Sequence, residues 1–229
     1  MTTTSPRPVL AGRTPPPQES VHRALALLRG PASGLDALAE DLAAGLEGGR
    51  ADVLVERASR LLYATDASIY EMEPVAVVFP RSASDVQHAT RIARARGIPL
   101  LPRGAGTSLA GQGVNHAIVL DFSRHMHRVL SIDPEGRTAR VQPGAVLDAI
   151  SRAARPHGLH YPVDPSTRNR ATIGGGIGNN SCGAHSVIHG KTIDQVVSLD
   201  VVLADGTTAR FEPVRGAALA ERLAAPTLE

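Results

Sequence analysis

The sequence predicts an α+β fold: mixed strands with flanking helices, preceded by an N-terminal helical segment. Three observations carry the prediction. Before Leu62 the apolar residues recur at helical spacing. After it they contract into short runs bounded by Gly and Pro, as strands do. Those runs do not alternate with helices in a regular strand–helix repeat, so a fully parallel sheet is not expected.

Each element follows in chain order. Residues 1–18, with Pro6, Pro8, Pro15, Pro16 and Pro17, read as a disordered leader. Glu19–Arg29 and Leu35–Leu46 read as helices, Ser33 capping the second and Gly48-Gly49 ending it. Ala51–Leu62 reads as a third, completing a helical segment over 19–62 whose role is packing. Val75–Phe79, closed by Pro80, is a buried strand. Ser84-Asp85 opens a helix through Arg96 that Gly97 stops. Ile98–Leu101 is a strand broken by Pro102, and Ala117–Asp121 is another. Val129–Asp133 and Thr138–Gln142 flank a Pro134-Glu135-Gly136 turn and form a hairpin. Val146–Arg155 is a helix and Tyr161–Arg170 a Pro-containing loop. Val196–Leu203 and Thr207–Phe211 form a second hairpin across Asp205-Gly206, and Ala217–Ala224 starts a last helix.

Composition excludes several function classes. A net charge of +2 spread along 229 residues is no nucleic-acid footprint, and six aromatic residues without Trp offer few stacking platforms. The apolar runs are too short for a membrane span. The N-terminus lacks the apolar stretch of a secretory signal. One cysteine, Cys182, excludes an intramolecular disulfide framework and a Cys-rich metal site, and it reads as a small buried residue. His125 with His127, and His157 with His160, lack neighbouring carboxylates or thiols, so no metal site is expected. A reducing, cytoplasmic setting, or one peripheral to a membrane, is the expectation.

The informative residue is glycine. Of 22 glycines, nine fall in two ten-residue windows, 104–113 and 174–183. Glycine allows positive φ and close backbone approach to a ligand, so two separated clusters point to two loops that meet on one ligand. The first window follows a strand, and its small residues with Thr107 and Ser108 have the composition of an anion-holding nest to which Arg103 adds charge. Its spacing, Gly104-x-Gly106-x-x-x-x-Gly111, is not the dinucleotide G-x-G-x-x-G. Gly190-Lys191-Thr192 ends like a phosphate-binding P-loop, but His185 stands where that motif needs Gly.

The second window, from Pro162 through Ile173-Gly-Gly-Gly-Ile-Gly-Asn-Asn-Ser-Cys-Gly-Ala-His185 to Gly190-Lys-Thr192, makes the likeness specific. With the first window it resembles the FAD-binding domain of the vanillyl-alcohol oxidase/p-cresol methylhydroxylase superfamily. Within it, the sequence is most similar to the FAD-linked 2-hydroxyacid dehydrogenases (D-lactate, glycolate and D-2-hydroxyglutarate dehydrogenases), in the branch fused to an iron–sulfur domain. The resemblance runs from about Leu62 to Val214. It implies an FAD-binding domain over 63–215, made of two α+β subdomains divided near 120–135 with FAD between them. Arg103, Gly104, Ala105, Gly106, Thr107, Ser108 and Leu109 would wrap the diphosphate, with Gly111 and Gln112 near the ring. Pro162, Asp164 and Pro165 would pass along the cofactor, and Thr172, Ile173, Gly174 and Gly175 would approach flavin and diphosphate. Asn179, Asn180, Ser181 and Gly183 would line the isoalloxazine, while Gly190, Ile193, Val196 and Val197 would close over the adenine end. No His lies in the first glycine loop, so noncovalent FAD is expected. His185 and His189 lie inside the flavin window, with a cofactor-facing and a structural role both open.

The family's reaction is oxidation of a D-2-hydroxy acid by hydride transfer to FAD. Its substrate cap lies C-terminal to the FAD domain, so residues 216–229 read as the start of a truncated region and no catalytic residue is assigned. Expected partners are FAD and a separate or downstream substrate or iron–sulfur domain. Two alternatives stay open: another FAD-linked oxidase or reductase of the superfamily, such as an alditol or aldonolactone oxidase or a cell-wall precursor reductase, or a noncatalytic remnant acting as an assembly subunit.

Overall fold

A computed structural model describes residues 17–224. The leader expected over 1–18 lies outside the described residues as far as 16, and so does the end of the chain from 225. Pro17 and Gln18 open the first helix, α1 (Pro17–Arg29), where Pro is tolerated because the N–H it lacks would have no intrahelical partner in the first turn. Helix α2 (Ala32–Ala43) starts earlier than expected. Pro31 occupies its cap position with no side-chain bond, and Ser33 lies inside the first turn. The helix expected over 51–62 is instead a 3-10 turn (Gly49–Asp52), strand β1 (Val53–Leu54) and a short helix α3 (Arg57–Leu61). Val53 and Leu54 have a pairing partner that a local pattern cannot reveal: β1 runs antiparallel to β2 (Ala76–Val78), Val53 opposite Val78.

The first sheet has the order β1-β2-β4-β3, where β3 is Leu100–Arg103 and β4 is Ile118–Asp121. The β2–β4 and β3–β4 pairs are parallel, and helix α4 (Ala83–Arg96) connects β2 to β3. Ser82 caps α4, two residues before the expected start, and Gly97 ends it at φ +63°. β2 and β4 are central and wholly buried, which is why they read as continuous apolar runs. Pro102 does not break β3 as expected, since β3 is an edge strand with an N–H side to spare. Ala76, Val78, Ile118 and Leu120 pack on α2 and α4 with Leu38, Leu42 and Ala89, while Val77, Phe79 and Val119 form a smaller core on the opposite face with Tyr63. The N-terminal helical segment therefore shares the main core of the sheet.

Two hairpins follow, β5 (Val129–Asp133) with β6 (Thr138–Val141) and β7 (Leu199–Val202) with β8 (Thr208–Phe211). Helix α5 (Leu147–Ala154) packs Leu147 and Ile150 against Ala171 and Ile173. The second glycine window is not the loop expected. Ile173–Asn179 is a helix, α6, followed by the four-residue helices α7 (Ser186–His189) and α8 (Thr192–Gln195). Burial of Ile173 and Gly176 and a cap from Thr172 offset the poor helix propensity of its glycines. Helix α9 (Ala217–Ala224) ends the described chain. The architecture is the expected α+β one, with mixed sheets and flanking helices.

Candidate functional site

The two glycine windows meet at Thr172. Gly104, the residue after β3, lies so close to Thr172 that a Cβ there would overlap its hydroxyl. Thr172 is buried, bridges Val146, and caps α6 by accepting from Gly175 N at 3.4 Å. One small residue thus joins the first loop to the start of the glycine helix.

The glycines of α6 divide into two kinds. Gly174 is pressed against the Pro143 carbonyl, whose oxygen would stand 2.9 Å from a Cβ, so packing requires it. Gly175 and Gly178 are exposed, and a Cβ at either would meet only the Thr172 hydroxyl at 3.4 Å or nothing within 4 Å. Each costs about 1 kcal/mol of helix stability relative to Ala. Packing supplies no reason for them, whereas a flat group laid against bare helix backbone does.

The first loop is held from behind. Arg103 directs Nη1 to Gly113 O (2.5 Å) and Tyr63 O (3.3 Å) and Nη2 to Thr65 O (2.8 Å), with the Tyr63 ring 5.4 Å from its Cζ. Burial lowers the guanidinium pKa against the opposing pull of Asp66 and Asp121. Asp66 accepts Gly113 N (3.0 Å) and Ser68 N (2.8 Å). Burial raises its pKa, but the Ser68 and Gly113 bonds and the Arg103 charge outweigh this and hold the carboxyl below its usual range. Gly106 and Gly111 take φ of +63° and +81°, and Tyr70 lies against Gly111. Ala105, Leu109 and Gln112 are exposed; Thr107 and Ser108 are half-buried, and Ser108 bonds Gln112.

Behind α6, Asp164 accepts His185 N (3.1 Å), and its Oδ2 stands 2.5 Å from His185 Nδ1. These His185 bonds, backbone first, hold the Asp164 pKa down. Gly183 abuts Asp164 with no room for a side chain. A shallow pocket of about 320 Å³ opens beside Asp164 and Pro165, walled by Asp148, Ser166, Arg168 and Asn169. Pro162 is half-buried. Asn180, in the left-handed region at φ +48°, accepts Ile193 N at 3.0 Å, and Ser181 O accepts both the N–H and hydroxyl of the buried Thr192. Asn179 caps back onto Gly175 O, and Gly190 turns at φ +79°. Ile193 and Val197 are exposed and Val196 half-buried. Cys182, expected to be buried, is exposed. Among the described residues no metal-holding group includes His185 or His189, and the His189 ring stacks edge-on with His160.

Tyr63, Thr65, Asp66 and Tyr70 were not singled out in the sequence. The Asp66-Ala67-Ser68 pattern of a side-chain-closed turn was the available signal.

The chain matches the FAD binding domain family over residues 74–212. It is 42% identical over 182 residues to the D-2-hydroxyglutarate dehydrogenase of Pseudomonas putida, covering 78% of this chain and 18% of that protein. It is 41% identical over 156 residues to the glycolate oxidase subunit GlcD of Bacillus subtilis, covering 67% of this chain and 33% of the subunit. The chain thus spans 18% to 33% of these relatives' length. Its fold superimposes on p-cresol methylhydroxylase with a TM-score of 0.65, at 20% identity, over 85% of this chain and 41% of that one. No helix among the described residues is long and apolar enough to cross a membrane. A match that covers more than half of the sequence, on a framework where both glycine windows converge, places this chain in the FAD binding domain family.

Proposed function

We propose that this chain is the FAD-binding part of an enzyme that oxidises a D-2-hydroxy acid, and that it holds FAD without a covalent bond. The observation that carries the reading is the bare face of α6 at Gly175 and Gly178, joined through Thr172 to the loop that begins at Gly104. FAD, when bound, supplies the hydride acceptor. The residues of the chain bind and orient it. The 103–109 loop, with Gly111 and Gln112 after it, offers backbone N–H groups and the Thr107 and Ser108 hydroxyls to the diphosphate. Thr172 fixes this loop against Ile173, Gly174 and Gly175. Pro162, Asp164 and Pro165 pass along the cofactor, Asn179, Asn180, Ser181 and Gly183 line the isoalloxazine, and Asp164 with His185 ties these two segments together. Gly190, Ile193, Val196 and Val197 border the adenine end, where the exposed Ile193 and Val197 side chains offer apolar cover. The 2-hydroxy acid substrate class rests on the names of the two relatives. We further propose a cytoplasmic setting and a substrate-binding partner domain that completes the site.

The test is spectroscopic. The purified chain, mixed with FAD and freed of excess by gel filtration, should retain a flavin absorbance band near stoichiometry. Acid precipitation should then release all of the flavin into the supernatant. A chain that emerges colourless would sink the assignment, and flavin that stays with the pellet would overturn the noncovalent part.

A further inference from the structure

We propose that the 63–72 loop braces the first glycine loop, and that Arg103 and Asp66 are positioning residues for the cofactor rather than charges that touch it. The proposal rests on the assignment of the 103–112 loop to the FAD diphosphate.

The brace is closed on itself and tied to the sheet. Thr65 bridges Glu71, Asp66 accepts Ser68 N, and Met72 N donates to Ala64 O at 2.8 Å. It grips the glycine loop at both ends. Ala67 N donates to Gly106 O at 2.9 Å, and Asp66 accepts Gly113 N. Arg103 links the two segments from beneath. Its terminal nitrogens donate to carbonyls on both, Tyr63 and Thr65 on the brace and Gly113 on the loop. A side chain at Gly106 would strike this guanidinium, so the loop passes directly over it. Tyr70 lies against Gly111. A planar fork that reaches three carbonyls at once is a task for arginine and not for a lysine's point charge.

A glycine-rich loop has the most backbone freedom to lose when it closes on a ligand. Holding it in the bound shape beforehand removes that cost, and here, besides the local Ser108–Gln112 and Val114–Gly111 bonds, the hydrogen bonds that hold the loop come from residues 63–72 or from Arg103. The family match begins at residue 74, so the brace lies N-terminal to the matched domain.

The experiment uses the whole chain with Arg103→Met, Arg103→Lys and Asp66→Asn. Hydrogen exchange is read on the FAD-free protein, and FAD affinity from quenching of flavin fluorescence at two salt concentrations. Arg103→Met and Asp66→Asn should each speed exchange of the 104–113 amides by about tenfold or more while those of β2 and β4 stay unchanged. FAD affinity should fall by about the same factor, its salt dependence unaltered, and Arg103→Lys should recover only part of either loss. Weakened FAD binding with unchanged loop exchange, and full rescue by lysine, would show that Arg103 acts as a charge on the diphosphate and overturn the proposal. Unchanged exchange and affinity in both variants would overturn it too. If Arg103→Met does not fold, Asp66→Asn decides alone, since it leaves the guanidinium in place. Failure of the functional reading looks different: the unaltered chain would take up no FAD, whatever the exchange shows, and the cofactor role of the brace would fall with it.

Discussion

At Gly104 a hydrogen stands where any side chain would overlap Thr172, and the consequence is measurable. Gly104→Ala should destabilise the fold by about 1–3 kcal/mol through overpacking. Thr172→Ala alone should cost about 1 kcal/mol by removing the α6 cap. The double variant should cost less than the sum, because each change relieves what the other creates. Strict additivity in urea unfolding would mean that the two residues do not touch. A second residue-scale prediction concerns Asp52, buried beneath Arg81 (2.6 Å to Oδ2) and His125 (3.2 Å to Oδ1). Burial pushes its pKa up, but these two partners outweigh the burial and hold the pKa below the ordinary carboxylate value. A depressed folded pKa means stabilisation that is present above about pH 4 and lost as pH falls through the folded value. Asp52→Asn should cost about 2 kcal/mol at pH 7 and flatten the acid limb of stability below about pH 4. An acid limb identical to that of the unaltered chain would refute the assignment.

Helix α6 sets helix stability against ligand fit. Gly175→Ala and Gly178→Ala add a methyl group where the fold has room, and should each stabilise α6 by up to about 1 kcal/mol. The same methyl groups stand on the face assigned to FAD, so flavin affinity should fall at least tenfold as the melting temperature rises or holds. A parallel loss of stability and flavin would instead mean that these glycines serve packing. The helix also shows where sequence pattern misleads. Strands β2 and β4 were legible because their apolar runs end at Pro80 and Asp121, and β5 and β6 because they flank the Pro134-Glu135-Gly136 turn. Gly-Gly-Gly-Ile-Gly has the opposite of helix propensity, and only the capping hydroxyl of Thr172 and the packing of Ile173 and Gly176 against distant residues make it helical. β1 was missed for a related reason: its two residues form a strand only because Val78 lies across from Val53.

Across the molecule, the sequence marked the two candidate glycine windows but not what supports them. Glycine clustering marked both windows before any contact was known, since close backbone approach has a compositional signature. The 63–72 brace has none beyond an ordinary turn pattern, and it acts through bonds to carbonyls that could belong to any residue type. The N-terminal helices likewise read as a separate layer, yet Leu38, Leu42 and Val53 share one core with β2 and β4. One core implies one unfolding transition that includes both the helical layer and the sheet bearing the first glycine loop. A ligand that binds only the folded chain adds RT ln(1 + [L]/Kd), about 2.7 kcal/mol at a hundredfold excess over Kd. For a chain of this size that corresponds to a rise of about 5–10 °C in melting temperature. The rise should appear equally in the helical signal and in a probe placed at Tyr70, because the loop proposed to take the diphosphate is tied through Arg103 to the sheet that α2 covers. A rise confined to the site probe, with the helices melting at their FAD-free temperature, would show that the helical layer unfolds on its own and that its shared core with the sheet carries no cooperativity.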